Sequence, residues 1–513
     1  MFKSKIFSSA IGFSLLISTL LCQIVVADTL PTVTAIPRNG FTLDDGRIMV
    51  FHGVNEMNKQ APYTPSSMGF TEEHIKFIKA HGFNLIRLGI FWGAIEPNAP
   101  AASNYQPQYD DNYLAEIKKT VQLLAANGIY TLLDFHQDAY SNAHNDAGLG
   151  EPKWTAGTEE GENVGFPINL FGGLELPNKT VYSMIDHDYD HFWANNTAVG
   201  DRRGLQDAYA EMVHHTVSYF KGTSGLLGYE IMNEPFPGST WKECTYKVSD
   251  TPFSFSKGCK NFSRTQLAAF YQKIIPVINQ TDPKAIVSFE PVVFVAFNGP
   301  VYLPKLEGTN LSFNYHNYNL VSPEVPFSTA NFYATFVAGG IPQIMSEFGS
   351  GDSDANVTNM LKQADAVGLS WTYWTYANNP TYPFFSPEDV EPDEPSEQGI
   401  VRDLKKPLTD KDNVQTERLE LLTRPYPQII AGGDPHFTYL ALTHIFMLHY
   451  TAGSGAGTAA QTQIFLPDAI YHGKYKLKLI NAIQVESADP QILIIQNTRP
   501  VKIVRVLLTP DQN

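Results

Sequence analysis

Between residues 49 and 422, short apolar runs alternate with stretches whose apolar residues recur at helical spacing. The apolar runs close on Asn55, Arg87, Asp138, Glu234, Glu290, Tyr318, Glu347 and Tyr376, which predicts eight strand ends. Between them, residues 72–80, 113–126, 205–220, 264–279 and 357–367 predict helices. Strand–helix alternation implies a parallel sheet with crossover helices. Eight repeats imply closure, so the predicted class is α/β and the fold a (β/α)8 barrel. Two insertions interrupt the repeat. Residues 141–199 are rich in Gly, Asn, Pro and aromatics and predict a long loop that shapes a substrate pocket. Residues 378–407 are acidic and proline-rich, with a solvated loop and a functional one both open.

Beyond Arg424-Pro-Tyr-Pro427 the helical period stops. Residues 438–450, 462–466, 475–483, 491–496 and 501–508 predict short strands, hence a C-terminal β-sandwich domain. No residue in it identifies a site, and a structural role is the expectation. The Gly-Ser-Gly-Ala-Gly run at 453–457 lacks the strand-to-helix setting of a phosphate loop. The domains expected are 28–425 for the barrel and 426–513 for the sandwich.

The N-terminus changes the picture of where the chain works. Lys3 and Lys5 precede an apolar run from Ile6 to Leu21, the layout of a secretory signal peptide, with cleavage after Ala27. The run is shorter than the roughly 20 residues a spanning helix needs. Cys22 leaves with the leader, so Cys244 and Cys259 remain and can close a disulfide in an oxidising compartment. Sequons at Asn178, Asn195, Asn261, Asn279, Asn310 and Asn356 agree with a secreted or lumenal glycoprotein, although such triplets also arise by chance. Two cysteines without a nearby histidine pair give no metal site, and no cofactor is expected. The net charge of −16 argues against nucleic acid and anionic membrane surfaces as partners and leaves neutral or glycosylated lipids open.

Two strings carry the chemistry. Met232-Asn-Glu-Pro235 and Ser346-Glu-Phe-Gly349 each put a glutamate at the end of an apolar run. A pair of carboxylates on the catalytic face of a barrel is the equipment for glycoside hydrolysis, one as acid/base and one as nucleophile. Arg87 can hold the nucleophile ionised by charge-assisted hydrogen bonds. His136 and Asn233 are placed to bind sugar hydroxyls, and His316 and Tyr318 share a strand face towards the nucleophile. Trp371 and Trp374 fall on opposite strand faces, so one of them enters the site. Trp374, nearer the carboxyl end, is the better sugar platform.

Taken in order, Arg87, His136, Asn233-Glu234, His316-x-Tyr318, Glu347 and Trp374 resemble the functional set of the family-five glycoside hydrolases. The resemblance implies that Glu234 is the acid/base and Glu347 the nucleophile. His52-Gly-Val-Asn55, Phe91-Trp-Gly-Ala-Ile-Glu-Pro97, Leu133-Asp-Phe-His-Gln-Asp-Ala-Tyr140 and Gly150-Glu-Pro-Lys-Trp154 are more similar to endoglycoceramidases than to cellulases. That likeness implies Lys59, Asp138 and Tyr302 as further sugar contacts. It also implies a glycosphingolipid substrate, cut between oligosaccharide and ceramide, with transient contact to micelles or membranes and a monomeric enzyme. Such a substrate requires an apolar slot beside a polar pocket, for which Phe166, Phe171, Trp193, Phe294 and Phe297 are candidates. A β-glucanase, a simple lipid-glucoside hydrolase and a non-catalytic binding module stay open as alternatives.

Overall fold

The structure is a computed structural model and describes residues 29–511, apart from 102–103, 144–148, 158–178, 199, 247–253, 256, 319–321, 350–352 and 379–397. The leader, its cleavage position, Asn178, Phe166 and Phe171 lie outside these residues.

Strands β1 (Val33–Ile36), β2 (Gly40–Leu43) and β3 (Ile48–Met49) come first. Eight parallel strands then close a barrel: β4 (His52–Glu56), β5 (Leu85–Ile90), β6 (Tyr130–Phe135), β7 (Leu226–Glu230), β8 (Ile286–Phe289), β9 (Leu311–Asn317), β10 (Gln343–Phe348) and β11 (Ser370–Tyr373). Every residue of β5 and β6 is buried, as expected where helices cover one face of a strand and the barrel interior the other. Helices 72–80 and 205–220 begin and end where the apolar period predicts them. Helix Asp111–Ala126 starts earlier, because Asp110 accepts from the backbone N–H groups of Asn112 and Tyr113. Helix Asp354–Val367 gains a first turn in the same way from Ser353 and stops at Gly368, which is left-handed (φ 64°).

Three expectations need correction. The insertion at 141–199 is not all loop, since its last part is the helix Lys179–Trp193. Trp193 belongs to the core rather than to a slot: its ring packs edge-on against Phe192, Phe262 and Phe270. Its indole N–H donates to the carbonyl of Phe236 at 2.7 Å. Arg87 lies in the middle of β5 and not at its end, so its guanidinium sits inside the barrel.

The tail forms β12 (Tyr426–Ile430), β13 (Gly432–Leu440), β14 (Ile445–Ala452), β15 (Gln461–Phe465), β16 (Tyr475–Ile480), β17 (Ala482–Val485), β18 (Ile492–Asn497) and β19 (Ile503–Pro510). One antiparallel sheet runs β13-β14-β19-β16, and the other runs β1-β2-β3-β12-β15-β18-β17. Phe437, Phe446, Leu448 and Val506 from the first sheet meet Ile430, Ile464, Leu493 and Ile495 from the second in one core. Residues 438–450 and 475–483 are thus two strands each, with the chain changing sheets after Ile480. The N-terminal strands extend the sandwich sheet through Met49 opposite Ile429. They also pack Val33, Ala35, Phe41 and Leu43 under Leu85, Leu132, Ile286 and Ile344, closing the end of the barrel where its strands begin. The other end is left for chemistry.

Candidate active site

Six of the sequence-derived site residues, Arg87, Asn233, Glu234, His316, Tyr318 and Glu347, meet in one cluster towards the carboxyl ends of the barrel strands. Arg87 is fully buried and is the hub. Its Nη1 donates to Glu347 Oε1 at 2.6 Å and to Asn55 Oδ1 at 3.0 Å. Nη2 donates to Asn233 Oδ1 at 2.8 Å and lies 3.0 Å from Asp134 and 3.2 Å from Glu290. Glu230 takes the remaining edge, accepting from Nε at 2.9 Å. A planar, permanently charged fork suits several carboxylates at once, which a lysine could not.

Glu347 is aimed by a β-bulge. Between β9 and β10 the register shifts after Tyr315↔Met345, so that His316 faces Glu347 and Ser346 has no opposite number. Met345 and Phe348, three residues apart, both pack in the outer core, which strict alternation forbids. The extra residue turns Glu347 inward to Arg87. On its second oxygen Glu347 accepts from Tyr318 Oη at 2.8 Å. Burial pushes the Glu347 carboxyl up, and the cations of His316 and Arg87 counteract that.

Glu234 sits four residues past β7 and has a left-handed backbone (φ 42°). Its Oε1 is 2.7 Å from His316 Nδ1. That same nitrogen is 3.5 Å from Glu347, and carboxylate oxygens of Glu234 and Glu347 lie within 4.8 Å of each other. The second imidazole nitrogen of His316 is 3.0 Å from Glu290. Burial alone would lower the His316 pKa, but the facing Glu290 and Glu347 outweigh it and hold the ring as a cation. The Glu290 carboxyl is itself pushed well up by burial, with the His316 ring opposing that. Its partner Glu230, beside Arg87, stays below the usual carboxylate range despite its burial.

A second group lines the neighbouring wall. Lys59 pairs with Asp138, and its ammonium lies 4.7 Å from the centre of the Trp374 ring. The His136 ring lies nearly parallel to Trp374, with centroids 5.7 Å apart, and its Nδ1 is 2.7 Å from Asp134. Burial would raise the Asp138 pKa, but Lys59 and His136 hold it below the usual carboxylate range. Trp374 donates its indole N–H to Gln398 at 3.0 Å, which fixes the ring plane. Trp371 turns away and stacks on His52, as the strand alternation requires. Tyr302, half-buried in the loop after β8, packs against the outer core. Among the aromatics proposed for a slot, Phe294 is buried, while Phe297 is half-buried with its ring 6.4 Å from that of Tyr318. Cys244 and Cys259 are joined as a disulfide.

The pattern reading passed over Asp134, Gln137, Glu230 and Glu290 as functional residues. A charged residue inside an otherwise apolar strand, as in Leu226-Leu-Gly-Tyr-Glu230 or Ile286-Val-Ser-Phe-Glu290, was the available signal.

Residues 50–380 match the family described as cellulase (glycosyl hydrolase family 5), and residues 424–506 match the glycoside hydrolase family 5 C-terminal domain. The chain belongs to glycosyl hydrolase family 5. Within that family it is similar to endoglycoceramidase I of Rhodococcus hoagii, 28% identical over 89% of this chain and 84% of the relative. An endoglycoceramidase of Hydra vulgaris is 26% identical over 86% of this chain and 82% of the relative. Among solved structures, endo-glycoceramidase II from Rhodococcus sp. in complex with ganglioside GM3 superposes with a TM-score of 0.68. At 23% identity, and covering 92% of this chain and 99% of that one, this likeness establishes the shared barrel-plus-sandwich fold.

Proposed function

We propose that this family-five enzyme is a retaining endoglycosidase that hydrolyses the β-glycosidic bond between oligosaccharide and ceramide in glycosphingolipids. The observation that carries the mechanism is that Glu234 and Glu347 face each other beside His316, with one carboxylate oxygen of each within 4.8 Å of the other. Retaining enzymes hold their carboxyls about 5–5.5 Å apart, and inverting ones about 6.5–9.5 Å to admit a water between them. The substrate assignment rests on the similarity to endoglycoceramidases across nearly the whole chain.

In the first step Glu347 attacks the anomeric carbon. The bond to the ceramide oxygen breaks, and Glu234 delivers its proton to that oxygen. A glycosyl ester on Glu347 and free ceramide result. Loss of the Glu347 charge lets Glu234 act as base: it takes a proton from water, whose oxygen attacks the anomeric carbon and frees Glu347. Two inversions restore the β configuration. Arg87 and Tyr318 orient the Glu347 carboxylate before attack. Lys59, Asp138 and His136 offer charged hydrogen-bonding groups to sugar hydroxyls, and Trp374 offers a ring. Asn233, whose amide oxygen is taken by Arg87, would present an N–H to the sugar. Phe297, beside Tyr318, is the described aromatic placed to meet lipid.

The enzyme works, in this reading, as a monomer in a secreted or lumenal compartment. The Cys244–Cys259 disulfide supports that. So do the N-terminal leader pattern and an exposed sequon at Asn261. No helix among the described residues is long and apolar enough to cross a membrane. Incubation with a ganglioside and with cellotetraose, followed by mass spectrometry of both products, tests the substrate. Intact oligosaccharide and ceramide are expected. Stepwise loss of monosaccharides, or faster cleavage of cellotetraose, would refute the assignment.

A further inference from the structure

Glu234 has a backbone conformation that a glutamate rarely adopts, and the chain fixes it from two sides. Gln137, one residue beyond His136, donates from Nε2 to the carbonyl of Asn233 at 2.8 Å and to that of Glu234 at 3.2 Å. Its Oε1 accepts from the Tyr140 backbone N–H at 3.1 Å and from the hydroxyl of Tyr189, so the amide cannot flip without losing both. Glu290, from the end of β8, accepts the Glu234 N–H at 3.1 Å. The Asn233 side chain returns a hydrogen bond to the Gln137 carbonyl at 3.0 Å.

The support continues outward. Residues 149–151 cross the Gln137 backbone, with Asp138 and Leu149 exchanging hydrogen bonds of 2.8 and 2.7 Å. A Cβ on Gly150 would come within 2.4 Å of Gln137 Cβ, so only glycine lets this strap lie so close. The helix Lys179–Trp193 supplies Tyr189 and so ties the insertion to the same amide.

A left-handed residue held by two carbonyl contacts and one N–H contact is over-determined, the condition under which strained backbone persists at functional sites. We infer that Gln137 and Glu290 are positioning residues for proton transfer: they fix the Glu234 backbone so that its carboxyl meets the leaving oxygen. This rests on the reading of Glu234 as acid/base. Neither residue touches the reacting atoms. Gln137 bonds only to the Asn233–Glu234 backbone and its own supports, whereas Glu290 also meets Arg87 at 3.2 Å and His316 at 3.0 Å, which in turn hold Glu347. Loss of Gln137 should therefore impair protonation of the leaving group and spare nucleophilic attack.

The test compares kcat/KM on a glycosphingolipid, whose alkoxide leaving group needs protonation, and on a nitrophenyl lactoside, whose leaving group does not. For Gln137→Met, which fills the same space without hydrogen bonds, kcat/KM on the lipid should fall by at least about tenfold, out of the roughly 10²–10⁴-fold a positioned acid contributes. On the aryl glycoside the loss should stay below about threefold. Glu290→Leu, which also removes a partner of Arg87 and His316, should lose activity on both substrates, the lipid more than the aryl glycoside, so the selectivity of the Gln137 variant is the decisive reading. If Gln137→Met does not fold, Tyr189→Phe removes the hydroxyl that orients the same amide and should show a smaller loss of the same selectivity. Equal losses on both substrates, or no loss in a folded variant, overturn the inference. Glu234→Gln is run alongside. Selectivity there but not in the Gln137 variant sinks the positioning role alone, and its absence in both sinks the acid/base assignment as well.

Discussion

Tyr318 Oη donates to Glu347 Oε2 at 2.8 Å, on the opposite oxygen from the one Arg87 grips at 2.6 Å. The two donors act differently. Arg87 is permanently charged and, with His316, opposes the burial that pushes the Glu347 carboxyl up, while Tyr318, whose hydroxyl is pushed well up by burial and then by Glu347 and Glu234, stays protonated and can only orient. In Tyr318→Phe one oxygen loses its donor and no charge changes. Turnover should drop by roughly one to two orders of magnitude, with thermal stability within about 1 kcal/mol of the parent. Near-parent kcat would show that Arg87 alone orients the nucleophile.

Replacing Arg87 should be far more damaging. Asp134, Glu230, Glu290 and Glu347 all lie within 3.2 Å of its guanidinium nitrogens, each of them buried. Removing one partner of a buried ion pair typically costs about 3–5 kcal/mol, because the other charge is left without compensation. Arg87→Met should therefore lower the urea midpoint sharply or prevent folding. Arg87→Lys should not rescue it, since an ammonium cannot reproduce the fork. A variant with the parent's midpoint would contradict the hub role.

The strands and the two glutamates were legible because they rest on local pattern: apolar runs of strand length closing on Asn-Glu-Pro and Glu-Phe-Gly. What the pattern could not carry is non-local. The bulge at Ser346 that turns Glu347 inward exists only in the pairing of β9 with β10. Gln137 stands in the same string as His136 and Asp138, yet its role depends on a loop nearly a hundred residues away. The N-terminal strands escaped notice because β1 and β2 are four residues each and join the C-terminal sheet only through the two-residue β3. Helix Lys179–Trp193 was hidden by the Gly- and Pro-rich composition of the segment before it.

The disulfide between Cys244 and Cys259 closes a loop of 15 residues beside the acid/base motif. On a chain-entropy model a loop of that length stabilises by about 3 kcal/mol. The double variant Cys244→Ser, Cys259→Ser should lower the unfolding free energy by about that amount, read from urea titrations. Peptide mapping of the secreted protein without reduction should return the two cysteines in one linked peptide pair. Two free thiols would remove the support for an oxidising compartment.

Glu56 should make the protein less stable in alkali. Both of its carboxylate oxygens are buried and, among the described residues, without a hydrogen-bond partner. Burial raises its pKa from 4.5 to about 8. Below the lower value the carboxyl is neutral in folded and unfolded chains alike, so its burial carries no charge penalty. As pH rises towards the upper value the unfolded chain releases the proton and the folded chain keeps it, so the favourable contribution drains away and is gone above about 8. At about 1.4 kcal/mol per pKa unit the whole effect is at most a few kcal/mol. Glu56→Gln keeps the shape without the titration. Urea unfolding at about pH 5 and about pH 8.5 should show the parent losing more stability than the variant between the two, the difference being the Glu56 share of the linkage. Parallel losses in both proteins would mean that Glu56 ionises in the folded state as readily as in the unfolded chain, and that a polar partner or water reaches it within the wall of the barrel.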